Sequence, residues 1–125
     1  MSTLSSYRDL EVWKKSIDLV EQIYLASKGF PADERFGLTS QIRRAAVSVP
    51  SNIAEGAARF GTGEYLQSLS VASGSLAESE TQLIVANRLD MLALPTMEQL
   101  LARSEEVSKM LGDLRRSLEA RRTSH

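Results

Sequence analysis

One stretch gathers the residues able to do chemistry together: Ser40-Gln41-Ile42-Arg43-Arg44-Ala45-Ala46-Val47-Ser48-Val49-Pro50-Ser51-Asn52-Ile53-Ala54-Glu55-Gly56. Gln41, Arg44, Ser48, Asn52, Glu55 and, just beyond, Arg59 recur at steps of three and four. On a helix they form a polar stripe one residue behind an apolar row, about 100° around the axis from it. Arginine in such a setting grips carboxylate or phosphate, and a carboxylate with an asparagine can position water. Two readings stay open: a hydrogen-bonded ladder between neighbouring helices, or a groove for a ligand or RNA. Catalysis is not expected. The chain has no cysteine, and its single histidine is His125, the last residue. Thiol nucleophiles, thiolate zinc sites, Ser-His-Asp catalysis and the Glu-x-x-His di-iron pattern therefore lack their essential group. With no phosphate loop or metal-ligand spacing either, no catalytic residue, cofactor or metal is expected.

The elements that must position this stripe are helices. Four stretches carry apolar residues at helical spacing, and no strand-like alternation competes. The first runs from about Asp9 to Lys28, with Leu10, Trp13, Ile17, Val20 and Tyr24 on one seam and Gly29 and Pro31 ending it. The second runs from about Asp33 to Phe60, with Leu38, Ile42, Ala46, Val49, Ile53 and Phe60 inward and Asp33 or Thr39 as its cap. The third spans Thr62 to Asp90, capped by Thr62, with Tyr65, Leu69, Ala72, Leu76, Ser79, Leu83 and Ala86 inward. The fourth opens near Pro95 and reaches Arg121, with Leu100, Val107, Leu111, Leu114 and Leu118 inward; the tail after Arg122 should fray. Four such helices joined by short loops predict a single all-α domain, an antiparallel up-down-up-down four-helix bundle filling residues 1–125.

Pro50 falls inside the second helix, where it removes a hydrogen bond and its ring crowds the Ala46 carbonyl, so a kink is predicted there. Ser48, Ser51 and Asn52 stand ready to serve the freed backbone groups. Residues equally far from the Gly61 turn should lie side by side in the hairpin of helices two and three. Arg44 then faces Glu78, Gln41 faces Thr81 or Gln82, Ser48 faces Gly74 or Ser75, and Asn52 faces Ser70. Polar groups meet polar groups, which supports the antiparallel pairing.

The run Gln41 to Ala45, the SVPSNIAEG of Ser48 to Gly56, and Gly74-Ser75-Leu76 with Glu78, Gln82 and Leu83 resemble the four-helix-bundle proteins of the 23S ribosomal RNA intervening-sequence family. Tyr7-Arg8-Asp9-Leu10-Glu11-Val12-Trp13-Lys14 and Phe30-Pro31 extend the resemblance over nearly the whole chain. The family is similar to the accessory protein of diversity-generating retroelements, a basic pentameric bundle. The resemblance implies a bacterial protein forming a ring of five bundles, with Gln41, Arg44, Ser48, Asn52, Glu55 and Glu78 as its motif residues. It carries no enzymatic activity with it.

Charge and hydropathy bear on the partners. Of the 125 residues 42% are hydrophobic, enough for a core, and 25% are charged with a formal net charge of −1, which removes the overall basicity of a nucleic-acid coat. Local patches remain: Arg43, Arg59, Arg115, Arg116, Arg121 and Arg122 are the candidates for phosphate contact, repeated around a ring, against the simpler reading of solvated helix ends. The first helix also carries a second apolar row, Val12, Leu19 and Ile23. Either that helix lies deep in its own bundle or a second copy packs on this row, and the implied ring favours the second copy. The polar Met1–Arg8 start, the lack of cysteine and the lack of any apolar run of roughly 18 residues point to a cytoplasmic protein without a leader or membrane span. Expected partners are the chain itself and RNA or an RNA-associated protein.

Overall fold

The computed structural model describes residues 6–123. They form four α-helices, α1 (Glu11–Ser27), α2 (Leu38–Ala58), α3 (Thr62–Arg88) and α4 (Leu94–Thr123), with 3-10 turns at Tyr7–Asp9 and Ala32–Glu34 and no strand among the described residues. Each helix packs on two neighbours, α1 on α2 and α4, α3 on α2 and α4, while the diagonal pairs stay apart. Ser48 meets Ser75 and Gly56 meets Ser68, so α2 and α3 run antiparallel. Ser104 bonds Glu80 while Arg122 lies over Gly63, so α3 and α4 do too. The four stripes enclose one core whose largest wholly buried side chains include Ile23, Ile42, Ile53, Leu69, Leu83 and Leu111.

The core face of α1 differs from the expected seam. Val12, Leu19 and Ile23 are only 5%, 2% and 1% exposed, and Ser16 and Ser27 complete their row. These three residues therefore build the bundle's own core and are not free to form its interface with another copy; a glutamate there would bury an unpaired charge. The serines disguise the row as polar, yet Ser16 Oγ donates to the Trp13 carbonyl (2.7 Å) and Ser27 Oγ to that of Tyr24 (3.2 Å). Hydroxyls satisfied within their own helix can be buried, and their small size lets neighbours close in. The larger row, Trp13, Ile17, Val20 and Tyr24, is displaced to the bundle's edge.

Helix boundaries shift for local reasons. Residues 32–34 tighten into a 3-10 turn and α2 begins at Leu38, capped by neither Asp33 nor Thr39 but by Glu34, whose Oε1 accepts the Leu38 N–H at 3.0 Å. Thr62 is the first residue of α3, with Gly61 at the cap position. Helix α2 runs unbroken through the buried Pro50 and stops at Ala58, because Arg59 turns extended. The three-residue reversal 59–61 cannot keep Phe60 on the inward row, and that side chain stands wholly in solvent. After α3, Asp90 takes φ 61° while its N–H reaches the Asn87 carbonyl and Met91 N–H reaches Ala86, the paired bonds of a Schellman stop.

Candidate functional site in the groove between α2 and α3

The polar stripe of α2 faces α3 across a shallow groove. Its floor is made of small residues because the helices approach closely: a β-carbon on Gly56 would come within 2.8 Å of both Ser68 Cβ and Tyr65 Cδ1. Gln41, Arg44, Ala45, Ser48, Ser75 and Glu78 line one hollow of about 370 Å³. Asn52, Glu55, Arg59, Gly63, Glu64, Gln67, Ser68 and Val71 line a second of about 400 Å³. All six motif residues thus fall on one groove, and of the four expected cross-helix pairings one, Ser48 with Ser75, is a hydrogen bond.

Ser48 and Ser75 meet as expected, Oγ to Oγ at 2.7 Å. Asn52 does not reach Ser70; it folds back one turn, donating from Nδ2 to the Ser48 carbonyl (2.8 Å) and Oγ (3.0 Å). This bond ties the Asn52 side chain back onto its own helix and orients the serine pair. Two hydroxyls carry two protons, their mutual bond uses one, and the other has no acceptor among the described residues, so it is offered to the hollow. Arg44 and Glu78 share the hollow from opposite walls without an ion pair. Glu78 accepts instead from Gln82 Nε2 at 3.4 Å, while Gln82 Oε1 is buried without a partner among the described residues. Gln41 lines the hollow and Thr81 turns back to the Ala77 carbonyl. The arrangement can bind a polar group through Arg44, Gln41 and one serine proton on one side and a carboxylate on the other. Among the described residues no group of three or more His, Asp or Glu side chains could hold a metal ion.

The arginines proposed for phosphate divide. Arg43 is committed to α1: Nε donates to Ser27 Oγ (2.8 Å), a terminal nitrogen reaches the Tyr24 carbonyl (3.3 Å), and the guanidinium lies 4.6 Å from the Tyr24 ring centre. It caps the negative end of that helix. Arg59 pairs with Glu55 (3.5 Å) and Glu64 (3.6 Å), and Arg116 pairs with Asp113. Arg115 is half-buried. Arg121 and Arg122 lie at the end of α4 beside the start of α3, Arg122 over Gly63 and Arg121 near Tyr65. Burial of the Tyr65 phenol pushes its pKa above the ordinary tyrosine value, and the Arg121 charge partly offsets this.

A second feature escaped the sequence reading. With the larger row of α1 displaced outward, Val20, Glu21, Gln22, Tyr24, Leu25, Lys28 and Val47 line an apolar groove of about 650 Å³ on the α1–α2 face. Val20 and Val47 continue it into a second hollow of about 300 Å³ beside Tyr7, Trp13 and Ile17. The width of α1's apolar arc is the signal for it, but the row that faces outward is Val20 and Tyr24 and not Val12, Leu19 and Ile23.

Comparison with known proteins agrees with this architecture. The family model of the 23S rRNA-intervening sequence protein matches residues 8–113. No curated protein matches the chain. Among solved structures, it is similar to a protein of unknown function from the S23 ribosomal protein family of Bacteroides thetaiotaomicron, with a TM-score of 0.75 and 22% identity over 83% of this chain and 97% of that one. That likeness shows the shared fold, and the family model over most of the chain shows that it belongs to the 23S rRNA-intervening sequence protein family.

Proposed function

We propose that the chain is a non-enzymatic cytoplasmic scaffold or adaptor that works as a homo-oligomer, a ring of five in keeping with the resemblance noted in its sequence. The observation that carries this reading is the α1–α2 trough, where Val20, Tyr24, Leu25 and Val47 lie together at the surface of the single chain. A second copy packed here would take these side chains out of water, which favours association. Its position on α1 also moves the interface from Val12, Leu19 and Ile23 to the opposite edge of the same helix. Replacing Leu25 and Val47 with glutamate, both exposed and so tolerable to the fold, should reduce the mass seen by light scattering; unchanged mass would reject this face.

On the partner side, the α4 end with Arg121 and Arg122, repeated around a ring, supports weak salt-sensitive contact with RNA or an RNA-associated protein. The commitment of Arg43, Arg59 and Arg116 within the chain favours a second reading, a protein-binding module without a nucleic-acid role. Titration with 23S ribosomal RNA fragments at low and high salt separates the two: no binding at low salt leaves the protein-binding module.

A further inference from the structure

The tripeptide Arg-Phe-Gly occurs twice, at 35–37 and at 59–61, just outside the two ends of α2. Both phenylalanines stand in water, Phe36 at 88% exposure and Phe60 at 106%. Their arginines differ. Arg59 is held by Glu55 and Glu64, whereas Arg35 makes no ion pair among the described residues and its guanidinium lies 5.6 Å from the Phe36 ring centre. Cation and ring thus form a ready-made knob with an unspent positive charge. The α1–α2 trough is the matching surface: it is apolar along Val20, Tyr24, Leu25 and Val47 and open to a second copy along the α1–α2 face. Its rim carries Glu21 and, a further two turns along α1, Lys28, neither of them in an ion pair among the described residues, and Glu21 is the one that suits a cation.

We propose that Phe36 of one copy seats in the trough of a second copy, with Arg35 against Glu21 on its rim. This rests on the self-association reading and narrows it to one pair of surfaces. Phe36 does not line its own trough, so each copy can offer the knob and receive another, the head-to-tail contact that builds rings when its rotation closes. Phe60 is no second anchor in that trough. The 21 residues of α2 separate the two rings by about 30 Å, while the trough from Val20 to Lys28 is about 12 Å long.

The test is the dissociation constant of the full chain by light scattering over a dilution series, with circular dichroism reporting the fold. Phe36→Ala should weaken association at least tenfold, as loss of an aromatic anchor does, and Phe60→Ala should leave it unchanged. Arg35→Glu and Glu21→Arg should each weaken it, and the double variant should recover most of the loss. Val47→Glu separating the copies while Phe36→Ala does not would overturn the knob and leave self-association standing. Additive losses in the double variant would overturn the Arg35–Glu21 contact, and a monomeric wild-type chain would overturn both the knob and the reading beneath it.

Discussion

Two glycines in the α2–α3 hairpin should respond oppositely to the same substitution. At Gly56 an added β-carbon meets Ser68 Cβ and Tyr65 Cδ1, each at 2.8 Å, below the separation real β-carbons keep. Ser68 Cβ is fixed to the α3 backbone and cannot swing away, so relief requires the helices to part beside Ile53 and Leu69, both wholly buried. Overpacking of this kind costs about 1–3 kcal/mol, and two simultaneous clashes place it in the upper half. Alanine's better helix propensity returns about 1 kcal/mol. Gly56→Ala should therefore lose roughly 1–2 kcal/mol. At Gly74, exposed in the middle of α3, an added β-carbon meets nothing within 4 Å. Gly74→Ala should gain about 0.5–1 kcal/mol from propensity alone. Urea denaturation at one protein concentration measures both, and at roughly 4 °C per kcal/mol the two variants should melt some 8 °C apart. A Gly56→Ala chain as stable as the wild type, or equal shifts in the two variants, would refute the close α2–α3 approach on which the groove depends.

Further substitutions probe the polar groups. Arg44→Ala should change stability by less than about 0.5 kcal/mol in urea, since Arg44 makes no hydrogen bond or ion pair among the described residues; a loss above about 2 kcal/mol would assign it a structural role. Arg43→Ala, which strips Ser27 and the Tyr24 carbonyl of their cation, should cost about 1–2 kcal/mol and leave any RNA affinity unchanged in a filter-binding titration. Asp90→Gly should stabilise by about 0.5–1 kcal/mol, because φ 61° suits glycine better than any residue with a β-carbon. Tyr65 has a folded pKa above its ordinary value of about 10, so its contribution is fully present below pH 10 and lost as pH rises through the folded value. Tyr65→Phe should flatten that alkaline decline in a pH series of thermal melts.

The helical fold and the α2–α3 register were legible because they depend on period and loop length alone. Apolar residues at steps of three and four recur over the whole chain, and a three-residue turn at 59–61 leaves little freedom in how Ser48 meets Ser75. What periodicity could not decide was which of two apolar rows on α1 turns inward. Hydropathy ranks Ser16 and Ser27 as polar, and only their bonds to carbonyls one turn back make them fit for a core. Phe60 leaves the inward row for a related reason: the apolar period continues through it, but the backbone leaves the helix at Arg59. Arg43 and Arg44 are adjacent and alike in sequence, yet a rotation of about 100° sends one to the end of α1 and the other into the groove. Their different duties depend on tertiary neighbours that a linear pattern does not contain.

Native mass spectrometry of the wild-type chain at micromolar concentration tests self-assembly most directly. The expected species is five times the 13.8 kDa chain mass, split to single chains by the Leu25→Glu and Val47→Glu pair. A wild-type chain found only at 13.8 kDa would contradict the scaffold reading and leave the α1–α2 trough without its proposed occupant.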